Sequence, residues 1–411
     1  MAFKKATLDK IINFKQPIYT DSSEEKVKLL IIRDLVRLGW KIDFLKEKIV
    51  VSAPKIYEKN VIREMMLIKR NELIKKNISW IQKNIDYARE NLANGDEVLK
   101  SEIIPEIEVC ETPRQHALFR ILRYYWSSPY TEYVGRRIKL IVRDAGLPNK
   151  PVIGIIALGS PIIHIPDRDL YIGWDKEIRT NRIIYTMDAY TLGSLPPYNY
   201  FLGGKLLCYI LASNKIRKIY AEKYRNQETI IKKRKANDLV AVFVTSLYGR
   251  SSQYNRIKYK GKTLFYHIGE TKGYGSFHLS EETFMAMNEF LKENGIIISN
   301  RFGDGPSWKM RVIRTVSNLL NFDSDFLLRH SFRRWIYILA LARNYKKFLQ
   351  GKEEKIDYVD YPFEDLVTYW RNRWLNMRKR NEIIIEELMS FRRENFLKEE
   401  IENFKRNKNE Y

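Results

Sequence analysis

Cysteine is nearly absent. Cys110 and Cys208 are the whole complement of a 411-residue chain. Two thiols cannot form a disulfide framework or a four-thiolate zinc site, and they fit a reduced, intracellular setting. Long hydrophobic runs are missing too. VIGIIALG and LVAVFVTS are strand-sized, well short of the roughly 18–20 apolar residues a membrane-spanning helix requires. The opening MAFKKATLDKIINFKQ has no unbroken apolar core and no small-residue cleavage site, so it does not read as a secretion signal. A soluble, cytoplasmic protein is the expectation. His116, His164 and His330 show no metal-ligand spacing. Internal repeats and low-complexity linkers are absent as well.

Negative charge is scarce relative to positive. There are 73 Lys+Arg and 50 Asp+Glu, giving a formal charge of +23. An excess of that size attracts polyanions, nucleic acid foremost. It is concentrated: Ala212–Lys262 holds 14 Lys/Arg and 3 Asp/Glu. Lys232, Lys233, Arg234 and Lys235 form a run, and Arg250, Arg256 and Lys258 follow it. Tyr220, Tyr224, Tyr248, Tyr254 and Tyr259 are interleaved, a mixture suited to gripping phosphates and stacking bases. A second cluster, Tyr369-Trp370-Arg371-Asn372-Arg373-Trp374 followed by Arg378-Lys379-Arg380, repeats it. Each cluster alone also fits an ordinary solvated basic surface.

The pattern divides the chain into three regions. Residues 1–110 read as mainly helical, with a hairpin over 41–54 that would suit a winged-helix reader or a packing subdomain. Residues 111–300 read as an α/β core with a mixed sheet. The expected strands are Pro151–Gly159, Asp169–Trp174, Ile183–Leu192, Leu239–Ser246 and Thr263–Gly269, with a helix over Asn199–Tyr224. Residues 301–411 read as helical, through Trp308–Leu320, Phe326–Phe348, Phe363–Glu382 and a charged, partner-facing helix over Ile383–Lys408.

Four segments carry candidate chemistry. Asp167 and Asp169 flank Arg168, and alternate carboxylates suit Mg²⁺; a self-paired Asp–Arg–Asp turn is the structural alternative. After the strand ending at Ser246 comes a loop holding Arg250, Ser252, Tyr254 and Arg256. Tyr254 or Ser252 there would be the nucleophile toward phosphorus, with the arginines neutralising developing charge. The segment His267–His278 has three glycines, the acid/base candidates Glu270 and His278, and Lys272; it matches neither a Walker nor a dinucleotide motif. Lastly, Gly203 and Gly204 open a helix after Pro196-Pro197, a place where free N–H groups bind anions.

The order of these segments resembles the Druantia anti-phage protein DruA family. The resemblance rests on RDLYIGW (Arg168–Trp174) with Arg179 and Arg182, on TLGSLPPYNYFLGGKLL (Thr191–Leu207), on the helix end at Tyr220–Tyr224 and on IGETKGYG (Ile268–Gly275). FGDGPSWKMR (Phe302–Arg311) and YWRNRW (Tyr369–Trp374) extend it, so that it covers about residues 120–380. Tyr190 and Val244-Thr245-Ser246 depart from the family pattern. The core order is also similar to a GNAT acyltransferase, which implies a GNAT-like sheet with Gly203 and Gly204 at a pantetheine pyrophosphate. The resemblance implies a DNA-binding, DNA-processing role in anti-phage defence or a mobile element, with transposase-like strand transfer as one form. It also implies a helicase-like defence partner and is compatible with a homo-oligomer. An acetyl-CoA-dependent acyltransferase and a non-catalytic adaptor are the alternatives.

Overall fold

The computed structural model describes residues 20–45, 48–54, 59–128, 135–228, 233–235, 237–276, 278–298 and 306–409. From the N-terminus the elements are α1 (Ser23–Arg37), β1 (Lys41–Leu45), β2 (Lys48–Ser52), α2 (Lys59–Glu90), α3 (Gly95–Lys100), β3 (Pro105–Val109), α4 (Pro113–Arg123), β4 (Arg137–Asp144) and β5 (Val152–Gly159). Next come α5 (Pro166–Ile172), α6 (Lys176–Arg182), β6 (Thr186–Ser194), α7 (Gly203–Ala212), α8 (Asn214–Tyr224), β7 (Ala241–Ser246), α9 (Ser252–Asn255), β8 (Lys258–Tyr259), β9 (Lys262–Thr263) and β10 (Phe265–Glu270). The last part is α10 (Glu281–Glu293), α11 (Pro306–Leu319), α12 (Ser324–Leu328), β11 (Trp335–Ala340), α13 (Tyr345–Leu349), α14 (Phe363–Trp370), α15 (Asn376–Arg378), α16 (Glu382–Ser390) and α17 (Lys398–Asn409). Among the described residues no helix is long and apolar enough to cross a membrane.

Contacts group the chain into two compact units. One is Met1–Glu72 with Thr271–Arg333; the other is Leu73–Glu270 with Arg334–Tyr411. The larger unit is built on a seven-stranded mixed sheet in the order β10-β11-β7-β6-β5-β4-β3. Every neighbouring pair is antiparallel except β6 and β7, which run parallel. Both faces are covered. Val242, Val244, Tyr337 and Leu339 point to the side packed by α7, α8 and α14. Ala241, Phe243, Ile336 and Ile338 point to the other side, toward Ile172 and Trp174.

Two-sided burial explains one misreading. Phe326–Phe348 reads as a helix, but Trp335–Ala340 within it is the strand β11. A strand apolar on both faces loses its period-2 signature. The reverse error falls on Asp169–Trp174, which reads as a strand and is the end of α5. Alternating Leu170, Ile172 and Trp174 mimic a strand, although Leu170 is 83% exposed. Pro166 in the first turn and Gly173 in the left-handed region (φ +85°) mark the helix. The expected single helix over Asn199–Tyr224 is two, α7 and α8, parted at Ser213.

The expected single helix over Ile383–Lys408 is likewise two, and it is tied to the body of the larger unit. Leu388, Phe396, Leu397 and Ile401 are buried. Gly95 N donates to Phe391 O at 3.1 Å. A Cβ on Gly95 would lie 1.7 Å from Leu388 O, so only glycine fits.

The smaller unit packs α1, the β1–β2 hairpin, the first part of α2, α10, α11 and α12. Buried Asp34 on α1 accepts from Ser280 N and Thr283 Oγ1, both at 2.6 Å, and so caps α10. The glycine-rich stretch is a packing turn here. Gly273 has φ +67°, and a Cβ on it would lie 2.8 Å from Phe332 N.

Candidate nucleic-acid interface

The site region begins where β6 and β7 part. They share three register pairs, Thr186↔Ala241, Met187↔Val242 and Asp188↔Phe243. Beyond those, β6 continues beside β5 and β7 beside β11. The loop after β7 reaches across this parting. Gln253 Nε2 donates to Leu192 O at 3.0 Å, and Cys208 Sγ lies 3.7 Å from Gln253 O. Lys205 Nζ donates to Ser252 O.

The two glycines serve this packing. A Cβ on Gly203 would lie 2.8 Å from Ser194 Cβ and 2.9 Å from Tyr198 O, and one on Gly204 would lie 3.3 Å from Gln253. These contacts give the two glycines a packing role. The backbone approaches its own strand and loop.

The proposed nucleophiles are poorly placed for attack. Tyr254 is buried, its ring 5.1 Å from Tyr337 and 5.6 Å from Phe265. Burial, then the neighbouring Cys208 and Tyr337, push its phenol well above the ordinary value. A phenol held neutral is not an activated nucleophile. Ser252 is exposed in α9, and no base among the described residues hydrogen-bonds its hydroxyl.

The carboxylates are structural in their contacts. Asp169 is 4% exposed. Its Oδ1 accepts from Arg168 Nε at 2.9 Å and Nη2 at 2.7 Å; its Oδ2 receives Arg179 Nη1 at 2.9 Å and lies 2.7 Å from His164 Nδ1. All four lone-pair directions are thus engaged. Arg168, wholly buried, also donates to Ile162 O at 2.6 Å and Ile163 O at 3.0 Å. Asp167 and Glu270 do meet, but through the backbone: Glu270 N donates to Asp167 Oδ2 at 2.9 Å. Gly269, at φ +143°, leaves room for Asp167.

Asp167 and Asp169, the expected Mg²⁺ pair, thus meet different partners: Asp169 its arginines and His164, Asp167 the Glu270 backbone. Among the described residues no group of three His, Cys, Asp or Glu is placed to hold a metal. His278, the other acid/base candidate, is buried, and burial pushes its imidazole down to about 3.

Sequence reasoning missed Asp188. It is an acid inside an apolar strand, 5% exposed, with Oδ2 accepting Ile162 N at 3.1 Å and Oδ1 without a partner among the described residues. Burial pushes its carboxyl up to about 7. The signal was a lone aspartate in TMDAYTLG.

The basic residues come together more fully than the acids. Lys205 on α7 is buried, its Nζ 4.8 Å from the centre of the Trp374 ring. Burial first, and then the positive charges of Arg256, Arg373 and Arg378, lower its pKa. Three segments far apart in sequence therefore contribute to one electrostatic neighbourhood, with Arg256, Arg373 and Arg378 all acting on Lys205. The Arg373 guanidinium lies 5.0 Å from the Trp374 ring, so that indole has two cations within cation–π reach. Between α14 and α15 the helix widens to i→i+5 hydrogen bonding over Arg371–Leu375, a distortion frequent at functional sites.

Beneath lie aromatic contacts. Tyr209 and Tyr259 each meet Tyr369 edge-on, at 5.7 Å and 5.4 Å. Among the described residues Arg250, Arg256, Lys258, Arg373 and Arg378 have no carboxylate within ion-pair distance. Trp374 and Arg378 stood in the second sequence cluster; Lys205 is the member that the basic clusters left out.

Other expected phosphate contacts scatter. Arg234 donates to Thr180 O and Asn181 O, both at 2.8 Å, closing the end of α6. Arg371 donates to Ile103 O at 3.2 Å. Lys233 and Lys235 are exposed, and Lys235 bridges Glu228 through the backbone. Lys272 belongs to the smaller unit. Lys232 lies outside the described residues.

Comparison with known proteins gives a consistent result. The family model for Druantia protein DruA matches residues 56–351. A Druantia protein DruA from Escherichia coli (strain UMEA 4076-1) is 36% identical over 301 residues, which is 72% of this chain and 74% of that protein. No solved structure matches significantly.

Proposed function

The chain belongs to the Druantia protein DruA family, components of an anti-phage defence system, and from that premise we propose that it holds DNA on the basic patch around Trp374. The observation that carries the reading is that Arg256, Arg373 and Arg378 all act on the buried Lys205, and that among the described residues none of the three arginines has a carboxylate within ion-pair distance. Gathering like charges costs energy, and the cost is offset when a polyanion arrives and its condensed counterions leave. Trp374 and the tyrosines beside it add faces on which bases stack. Membership in a multi-protein system also supports the expected protein partner, of which a helicase-like enzyme is the proposed kind.

Strand cleavage or transfer through Tyr254 or the Asp167/Asp169 pair is not part of this proposal. The phenol is buried and neutral, and Asp169 is fully engaged. The test is fluorescence anisotropy with labelled single-stranded and duplex DNA across a salt series. Binding that weakens steeply with salt, and that is lost in an Arg256→Ala/Arg373→Ala variant, supports the proposal. Salt-insensitive binding, or none, contradicts it.

A further inference from the structure

The smaller unit contains a helix whose surface differs from the others in that unit. α11 is amphipathic. Val312, Ile313, Val316 and Ser317 are buried. Arg311, Arg314 and Asn318 are exposed and Thr315 is half-exposed. Those four stand at i, i+3, i+4 and i+7, a single face of a helix.

No Asp or Glu occurs anywhere in α11. Its neighbour α10 is the opposite, exposing Glu281, Glu282, Glu289 and Glu293. α1 carries Glu24 and Glu25 in its first turn, and α12 carries Asp325. Lys309 at the start of α11 pairs with Glu281 of α10, while the exposed face further along α11 carries no carboxylate.

The residue types are also informative. Arginine pairs bidentately with guanine edges, asparagine with adenine, and threonine meets either a base edge or the thymine methyl. Arg314 is already directed, with Nη2 donating to Tyr274 Oη at 3.0 Å. An open depression of about 380 Å³ runs beside the face, lined by Ile297, Ile298, Arg311, Arg314 and Thr315. A helix with its side chains is about 10–12 Å across, and the major groove of B-form DNA is about 12 Å wide. We infer that α11 enters the major groove of duplex DNA and that Arg311, Arg314, Thr315 and Asn318 meet base edges there. This site is separate in residues from the Trp374 patch and does not depend on it.

The experiment measures binding of a labelled duplex and of the matching single strand to the full chain. It compares Arg311→Ala/Arg314→Ala, the charge-keeping Arg311→Lys/Arg314→Lys, and Arg256→Ala/Arg373→Ala as reference. The alanine pair is expected to weaken duplex binding roughly tenfold or more while leaving single-strand binding unchanged. The lysine pair is expected to keep overall duplex affinity but to flatten discrimination among duplex sequences, because lysine cannot make the two-pronged contact. Thermal melting of each variant, expected to match the parent, shows that the fold is kept. Equal losses on duplex and single strand, or an unchanged duplex affinity, overturn the inference. Either of those results, alongside a loss in the Arg256/Arg373 variant, would leave the Trp374 proposal standing.

Discussion

Two clusters of cations in the larger unit have opposite surroundings. Around Asp169, Arg168 and Arg179 are neutralised, and Arg168 is wholly buried. Around Trp374, Arg256, Arg373 and Arg378 act on Lys205, and among the described residues no carboxylate pairs with them. Both clusters look alike in the sequence, as arginines beside aromatics. Pairing, not abundance, separates an arginine that holds the fold from one that waits for a ligand. The Asp169 cluster pins the Ile162–Ile163 backbone to α5. The Trp374 cluster pins little beyond Lys205 to Ser252 O.

The largest effect is expected on the paired side. Asp169→Ala leaves Arg168 buried without a counter-charge, which costs about 3–5 kcal/mol. Urea denaturation should show that loss, and a change under about 1 kcal/mol would erase the contrast. Next, Arg256→Ala with Arg373→Ala should leave stability within about 0.5 kcal/mol of the parent. The same pair should reduce the salt dependence of DNA binding by about 2 in log–log slope, one for each lost phosphate contact.

A smaller effect concerns Asp188, whose carboxyl titrates near 7 in the fold against an ordinary 3.8. Between those values the folded chain holds a proton that the unfolded chain has shed. Stability from this group is therefore present below about pH 4 and lost as pH rises through about 7. Asp188→Asn should remove that decline, so melting temperature followed from pH 4 to 8 should fall less than in the parent. Parallel pH curves would refute it. The smallest effect is Tyr254→Phe, expected to leave both DNA binding and phage resistance in cells at parental levels. Abolished resistance with intact folding would return the tyrosine to chemistry.

The mixed sheet was legible from its central strands, because β5 and β7 are short apolar runs bounded by turn residues. β11 was not, since burial on both faces makes WIYILA resemble a helical segment. Basic and aromatic residues were legible as clusters at 250–262 and 369–380. Their meeting at Lys205 was hidden, because it depends on α7 placing one buried lysine between two segments more than a hundred residues apart. The carboxylates misled for a related reason. A pair at i and i+2 looks like a metal site until the arginines and His164 that occupy Asp169 are seen beside it.

The most direct test of the central claim is the salt dependence of DNA binding, measured for the parent, for Arg256→Ala/Arg373→Ala and for Arg179→Ala. The unanswered pair should account for part of the slope, so its removal should flatten the line while Arg179→Ala leaves it unchanged in the folded fraction. Identical slopes for the parent and the Arg256/Arg373 variant would contradict the account.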